Sequence, residues 1–285
     1  MQAICDGSML LYGLLHLSGF DLSVDDIKKF RQWGSRTPGH PEKERTHGVE
    51  TTTGPLGQGL ANGVGMAIAE RWLATRFNRS EFKIIDHYTY VVVGDGCLME
   101  GISHEACSLA GHLGLGRLIV LWDDNGISID GATSLASSDN ILQRFGAYGW
   151  HTEREDGQEP KEVLEALAVS RDELAKPSLI ACQTEIGYGS PNRAGTAKAH
   201  GEPLGEEEIR LTKQGLGIVD EVPFRVAEGA NETLRNAAEK GARCRKAWTA
   251  ALEVYRKRFP QEALEFEEMT GALEQSWTNL ELDFS

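Results

Sequence analysis

Apolar positions follow two different patterns along the first 215 residues. Three continuous apolar runs, Tyr88–Val93, Leu118–Trp122 and Ser178–Thr184, have the length of strands that are buried on both faces of a parallel sheet. Helical spacing of apolar residues predicts long helices at Leu60–Phe77 and Pro160–Leu174. This alternation is typical of an α/β fold, and we expect a three-layer α/β/α domain with a central parallel sheet.

The same periodicity makes finer predictions about the helices. One helix follows Gly96 and continues to Leu113, and another is capped by Ser137–Asp139 and runs to Tyr148. In the helix at Pro160–Leu174 four apolar side chains are expected to face inward, namely Val163, Leu164, Leu167 and Leu174.

The composition changes after Glu206. Residues 228–269 are rich in Ala, Glu, Lys and Arg, which predicts one or two charged surface helices. We therefore expect an α/β domain over residues 1–215 and a helical extension with a tail over residues 216–285.

The net charge of −14 bears on which kinds of binding partner the protein can have. A strongly acidic protein repels phosphate backbones, so we expect no nucleic-acid partner, and a bound diphosphate would need a metal. No membrane-spanning run or signal peptide is visible in the chain, and the five Cys residues follow no metal-ligand spacing. Cys107 and Cys182 lie in apolar patterns and are expected to be buried thiols. A cytoplasmic location fits these features.

Polar residues stand where two of the predicted strands end. Gly94-Asp95-Gly96 follows the first run, and Asn125 follows the second. Ligands of open α/β sheets bind at the carboxyl ends of the strands, so Asp95 and Asn125 are expected on the ligand-binding side. Their oxygens suit Mg²⁺, and the two glycines allow a diphosphate to approach the backbone closely. A plain strand-to-helix turn is the competing explanation, and the paired Asn makes it the weaker one.

These motifs resemble the thiamin-diphosphate signature, and the surrounding sequence resembles transketolases. Further matches run in order from about Gly7 to about Ala263, which is more specific than any single motif. They are Thr37–Pro41, Gly48–Gly59, His87–Tyr90, Met99–Glu105, Asp123–Gly131, Ile186–Asn192 and His200–Gly205.

The resemblance implies a cofactor, thiamin diphosphate, held together with Mg²⁺ or Ca²⁺. It implies that the metal ligands are Asp95, Asn125 and Ile127. Gly94 and Gly96 would accommodate the diphosphate, and the loop at Gly54, Pro55 and Leu56 would lie against the thiazolium ring.

The resemblance also implies three catalytic residues. His40 would reach the substrate and the reaction intermediate, and His200 would lie near the diphosphate and the reacting carbonyl. Glu100 resembles the glutamate of the subunit interface that links two cofactor sites. Without the resemblance, a solvated or structural role is the simplest interpretation of each loop His.

The chain also departs from the family pattern. Asp6 stands where the family has a His that contacts cofactor and substrate, and further family residues before Gly7 and two later domains have no counterpart in this sequence. One of those domains carries the pyrimidine-binding site. We therefore expect this chain to hold the metal–diphosphate end, in a homodimer or in a hetero-oligomer with a chain that carries the pyrimidine-binding domain.

Three functions remain open. The first is a transketolase-like subunit that transfers a two-carbon ketol unit between sugar phosphates once it is paired. The second is a non-catalytic module with a role in assembly or weak cofactor binding, which the changed segment Ala3–Asp6 favours. The third is another reaction of the same cofactor, such as decarboxylation of a 2-keto acid. It ranks last because Thr37–Pro41 and Ser190–Asn192 are specifically transketolase-like.

Overall fold

Four parallel strands form the central sheet of the protein. The computed structural model describes residues 7–219, 222–227 and 229–271, so Asp6 lies outside the described residues. Numbered in chain order, the sheet strands are β1 (Thr89–Gly94), β2 (Leu118–Asp124), β5 (His151–Asp156) and β6 (Ser178–Gln183), in the spatial order β1-β2-β6-β5. Two short antiparallel strands, β3 (Ile127–Ser128) and β4 (Gly131–Ala132), form a separate hairpin directly after β2.

Helices connect and follow the strands. They are α1 (Ser8–Leu17), α2 (Val24–Ile27), α3 (Gln58–Phe77), α4 (Asp95–Met99), α5 (Gly101–Leu113), α6 (Ile141–Ala147), α7 (Pro160–Asp172), α8 (Lys198–Gly201), α9 (Glu206–Gly215), α10 (Ala230–Arg258) and α11 (Pro260–Gly271). Among the described residues, no helix combines the length and the apolar character that crossing a bilayer requires.

Each sheet strand sends alternate side chains to opposite faces, and helices cover both faces. Val91 and Val120 belong to one buried cluster, together with residues of α3, α5 and α6. Ile119 and Ile180 point to the other face, where they pack with Ala166 of α7. Because neighbouring residues of a strand face opposite sides, a run buried on both faces must be apolar throughout. The predicted three-layer α/β/α architecture is confirmed.

The helix predicted to follow Gly96 is broken at Glu100. Glu100 has an extended backbone (φ −70°, ψ 139°) between α4 and α5. Side chains satisfy the carbonyls at the end of α4: the Ser103 hydroxyl donates to the Cys97 carbonyl, and Arg144 Nη2 donates to the Leu98 carbonyl at 2.7 Å. A continuous apolar periodicity does not reveal such a break, because α4 and α5 both bury apolar residues.

Two predicted details of the later helices were wrong. The N-cap of α6 is Asn140, whose side-chain oxygen accepts from Gln143 N at 3.0 Å, and not the Ser137–Asp139 segment. Leu164 and Leu174 are 66% and 60% exposed, whereas Val163 and Leu167 pack on the sheet as predicted. Leu174 lies beyond the end of α7, and Leu164 lies on the outer side of that helix. Cys107 and Cys182 are buried, as predicted.

The chain divides into two compact units, with the boundaries between Ile68 and Ala69, between His87 and Tyr88, and between Arg235 and Asn236. The sheet belongs to the first unit. The second unit, Ala69–His87 with Asn236–Ser285, has its own core, in which the Tyr255 hydroxyl donates to the Phe77 carbonyl at 2.7 Å. A compact unit is not necessarily a domain, because a domain could in principle fold alone. The predicted domain boundary between residues 215 and 216 therefore stays a prediction.

Substitution of Gly111 tests the close approach of α5 to the end of α6. A Cβ at Gly111 would lie 1.9 Å from the Tyr148 carbonyl oxygen, and backbone atoms cannot yield without moving the helix. We expect Gly111→Ala to lower the free energy of unfolding by about 2–3 kcal/mol in urea denaturation.

Gly65→Ala is the matched control. Gly65 is exposed in the interior of α3, and a Cβ there meets no described atom within 4 Å. We expect it to stabilise the protein by roughly 0.5–1 kcal/mol, because Ala has the higher helix propensity. Equal effects of the two substitutions would contradict the packing at Gly111.

Candidate functional site

Asp95 and Asn125 lie together where β1 and β2 end. The register pairs Gly94 with Asp123, so Asp95 leaves the sheet beside the last residues of β2. Both side chains line a polar cleft of about 700 Å³, together with Trp122, Asp124 and Thr184. The structure therefore brings the two predicted metal ligands into one cleft, while their role as ligands stays a prediction.

Asp95 is an incompletely satisfied carboxylate in this cleft. Its pKa is raised from the ordinary value of 3.8 to about 6, chiefly by burial and secondly by the nearby Asp124 carboxylate. The Trp122 indole N–H and the Gly126 amide act in the opposite direction. Even so, among the described residues neither Asp95 Oδ2 nor Trp122 Nε1 completes a hydrogen bond of ordinary geometry. A bound cation would relieve both the desolvation and the repulsion.

The second carboxylate of the cleft already has a partner. Arg154 Nη1 of β5 lies 3.0 Å from Asp124 Oδ2, and the Asp124 side chain is only 17% exposed. Burial raises the pKa of Asp124, and Arg154 opposes that rise. The arginine thus balances Asp124, and Asp139, the third acid of the cleft, is paired with Arg144 at 2.9 Å. Among the described acids that line the cleft, Asp95 is the one without an ion pair.

Ile127 is tied directly to Asn125. Its backbone N–H donates to Asn125 Oδ1 at 2.9 Å, which closes a turn between β2 and β3. The third predicted ligand is therefore adjacent to the second. No three His, Cys, Asp or Glu side chains of the described chain converge into a metal site by themselves. The available donors are one carboxylate, one amide oxygen and backbone carbonyls, a hard set that suits Mg²⁺ or Ca²⁺ when a diphosphate adds further oxygens.

The predicted cofactor loop packs on the turn between β1 and α4. Its Gly54 is buried beside His40, since a Cβ at Gly54 would lie 3.3 Å from His40 Nδ1. A Cβ at Gly96 would lie 3.2 Å from Leu56 Cδ1, and Leu56 itself is 43% exposed. The loop thus contacts His40 through Gly54, and it contacts Gly96, the residue after Asp95, through Leu56.

Glu100 is an exposed side chain at the junction of α4 and α5. Gly57, with φ +77°, packs so closely on this junction that a Cβ would lie 2.9 Å from Glu100 Cβ. The exposure of Glu100 fits the expected position at a subunit interface, which stays a prediction.

His200 lies in the loop that follows β6. It sits in the single turn α8, is half-buried and does not line the cleft of Asp95 and Asn125. Its loop packs on itself, because a Cβ at Gly187 would lie 2.8 Å from Ala199 Cβ. His40 and the Gly54–Leu56 loop do not line that cleft either, but Leu56 contacts Gly96 beside Asp95, whereas His200 belongs to a second loop of the same unit.

Glu208 of α9 holds that second loop in place, a structural role that the sequence did not reveal. Its carboxylate accepts from Asn192 N and Asn192 Nδ2, both at 2.9 Å, and from the Ser190 hydroxyl. These bonds lower the Glu208 pKa. In the sequence Glu208 is one of three consecutive acids at the start of α9, so nothing distinguishes it from the helix-terminal charges beside it.

Three residues of the cleft were also missed. Arg154, Gln183 and Thr184 lie toward the carboxyl ends of β5 and β6 and line the cleft. The same rule that singled out Asp95 and Asn125, attention to residues at strand ends, would have found Thr184.

A parallel sheet with a polar cleft at the carboxyl ends of its strands defines the class as an α/β cofactor-binding domain. Comparison with known families extends this result. Residues 3–273 match the family described as "Transketolase, thiamine diphosphate binding domain". The chain therefore belongs to the transketolase family through this domain.

Relatives and solved structures agree with the family. The chain is 54% identical over 272 residues to transketolase 2 of Escherichia coli, and 53% identical over 274 residues to the transketolase of Geobacillus stearothermophilus. Each match covers 95% of this chain but only 40% and 41% of the relative. The transketolase of Leishmania mexicana superposes with a TM-score of 0.93 and 45% identity, over 100% of this chain and 43% of that structure.

The buried charge of Asp95 predicts that stability depends on pH. Because the folded-state pKa is raised, stability falls as the pH rises from the unfolded value near 3.8 to the folded value of about 6, and the full cost persists above that pH. We expect Asp95→Asn to stabilise the cofactor-free protein at pH 8 by about 1–2 kcal/mol, less than the ~3 kcal/mol of the full shift because the side chain is partly exposed.

Urea unfolding at pH 8 and at pH 4 measures this difference, which should be much smaller at the lower pH. Asp130→Asn, at an exposed position, removes the same charge and should change stability little at either pH. If Asp95→Asn were less stable than the unaltered protein at pH 8, the conclusion that the Asp95 charge destabilises the fold would be wrong.

Proposed function

We propose that this chain binds thiamin diphosphate with Mg²⁺ and forms the diphosphate-binding half of a transketolase site. Paired with a chain that carries the pyrimidine-binding domain, it would transfer a two-carbon ketol unit between sugar phosphates. The observation that carries the proposal is Asp95, a partly buried carboxylate with a raised pKa and an unpartnered oxygen beside Asn125. A carboxylate retained at a cost to stability is typical of a functional site.

The chain's own residues would divide the work of binding. Asp95, the Asn125 side-chain oxygen and the Ile127 carbonyl would hold the metal. Gly94 and Gly96 leave room for the diphosphate, since a Cβ at Gly94 meets no described atom within 4 Å. The exposed Leu56 side chain would cover the apolar ring of the cofactor.

When bound, the cofactor supplies a stabilised carbanion for the group transfer. His40 lies beside the cofactor loop and would orient the hydroxyl groups of the sugar by donating or accepting hydrogen bonds. His200 would exchange a proton with the reacting carbonyl oxygen once its loop is completed by a partner chain. Glu100, exposed at the α4–α5 junction, would meet that partner.

Similarity to a solved transketolase with a bound sugar phosphate also supports this proposal. One solved transketolase, from Pichia stipitis, is described as a complex with sedoheptulose-7-phosphate; it superposes with a TM-score of 0.90 at 41% identity, over 94% of this chain and 40% of that structure. That ligand was found in the Pichia protein. We propose sugar phosphates as substrates of this chain because the proposed reaction is also a ketol transfer.

Cofactor binding to the purified chain tests the metal-dependent half of the proposal. Calorimetry should detect binding of thiamin diphosphate in the presence of Mg²⁺ and none after chelation with EDTA. Asp95→Ala should weaken binding at least tenfold, because it removes a metal ligand. Asp172→Ala, which removes an exposed acid at the end of α7, should leave the affinity unchanged. Binding that is indifferent to both Asp95 and EDTA would refute the proposed metal–diphosphate site.

Ketol transfer tests the catalytic half. The chain mixed with a chain carrying a transketolase pyrimidine-binding domain should convert a ketose phosphate and an aldose phosphate, and the activity should disappear in His40→Ala. Metal-dependent cofactor binding without transfer in the mixture would favour the non-catalytic module. Turnover of pyruvate in place of a ketose phosphate would favour the alternative reaction of the same cofactor.

A further inference from the structure

An asparagine can ligate a cation with only one end of its amide. The Oδ1 atom is a hard oxygen donor, whereas the NH₂ group carries positive partial charge and repels a metal. The two ends have nearly the same shape, so something other than packing must select the orientation. At Asn125 the surrounding hydrogen bonds make this selection.

Asp123 holds the nitrogen end of Asn125. Asn125 Nδ2 donates to Asp123 Oδ2 at 2.9 Å, while Asn125 Oδ1 accepts from Ile127 N, also at 2.9 Å. If the amide rotated by half a turn, its oxygen would face the Asp123 carboxylate and its NH₂ would face the Ile127 N–H. Both contacts would be repulsive, so the pair of bonds allows one orientation.

Thr184 holds Asp123 in turn. Its hydroxyl donates to Asp123 Oδ1, and its backbone N–H donates to the Asp124 carbonyl at 3.3 Å. Thr184 directly follows β6, and β6 is the neighbour of β2 in the sheet. Both carboxylate oxygens of Asp123 are therefore used inside the protein, one for each neighbour, which argues against Asp123 as a metal ligand.

We propose that Asp123, fixed by Thr184, is a positioning residue that keeps Asn125 Oδ1 directed to a divalent cation. This inference rests on the proposed metal site and adds two residues to which the family resemblance assigned no role. Outer hydrogen bonds of this kind typically change metal affinity 10- to 100-fold. The competing explanation is that the Asp123 charge attracts the cation without regard to geometry.

Three variants separate orientation from charge. Asp123→Ala removes the acceptor, and we expect it to weaken Mg²⁺-dependent binding of thiamin diphosphate by roughly 10- to 100-fold. Asp123→Asn removes the charge but keeps a carbonyl that can accept from Asn125, so the affinity should stay within about threefold. Thr184→Val keeps the charge and the side-chain shape but removes the hydroxyl, and a smaller loss is expected.

A spectroscopic measurement tests the orientation without any cofactor. In ¹⁵N-labelled protein the side-chain NH₂ of Asn125, identified by its disappearance in Asn125→Asp, should show one strongly shifted and slowly exchanging proton. Asp123→Ala should abolish this signature, and Asp123→Asn should preserve it. Should Asp123→Ala fail to fold, Thr184→Val provides a second test: it releases the Asp123 carboxylate from its donor and should weaken the signature, and an unchanged signature would contradict the anchoring by Thr184.

The outcomes distinguish this inference from the proposed function. Equal losses in Asp123→Asn and Asp123→Ala that fade at high salt would overturn positioning in favour of charge. Abolished binding in Asp95→Ala with unchanged binding in Asp123→Ala would also overturn it, while leaving the metal site intact. Metal-independent binding in the unaltered chain would instead refute the proposed function, and the amide signature would still report on Asp123.

Discussion

The register of three parallel strands is the constraint on which the site depends. Gly94, Asp123 and Cys182 occupy one rung across β1, β2 and β6. Because these strands end nearly level, the residues that follow them, which are far apart in sequence, emerge at one edge of the sheet. A shift of one residue in any strand would turn its side chains to the opposite face and disperse the cluster.

That edge concentrates like charge in a chain that is already acidic. Asp95, Asp124 and Asp139 line the same cleft. Arg154 pairs with Asp124 and Arg144 pairs with Asp139, whereas Asp95 has no ion pair among the described residues. The remaining charge of Asp95 opposes folding at neutral pH, so the apolar layers of the sheet must compensate for it. Such a site is preorganised for a cation, because a bound cation would offset the free-energy cost of burying the Asp95 carboxylate.

The sequence predicted most of the sheet and part of the site. Buried strands such as Val91–Val93 can be predicted because burial on both faces requires an unbroken apolar run. Strand ends can be predicted from their Gly and Asp residues. The sequence did not predict three features: the helix break at Glu100, the exposure of Leu164 and the hydrogen bonds by which Glu208 anchors its loop. Each depends on a partner distant in sequence: Arg144 for the end of α4, the sheet for α7, and Asn192 for Glu208.

The sequence by itself therefore determined the layer architecture and the family, and it selected the candidate site residues, because apolar periodicity and motif order are local properties of the chain. The tertiary structure decided which of those residues share a cleft, how far the pKa of Asp95 rises and which way the amide of Asn125 points. These are properties of distance and solvent exclusion. They arise only when β1, β2 and β6 lie side by side and partly bury Asp95, Asp124 and Thr184 in one cleft.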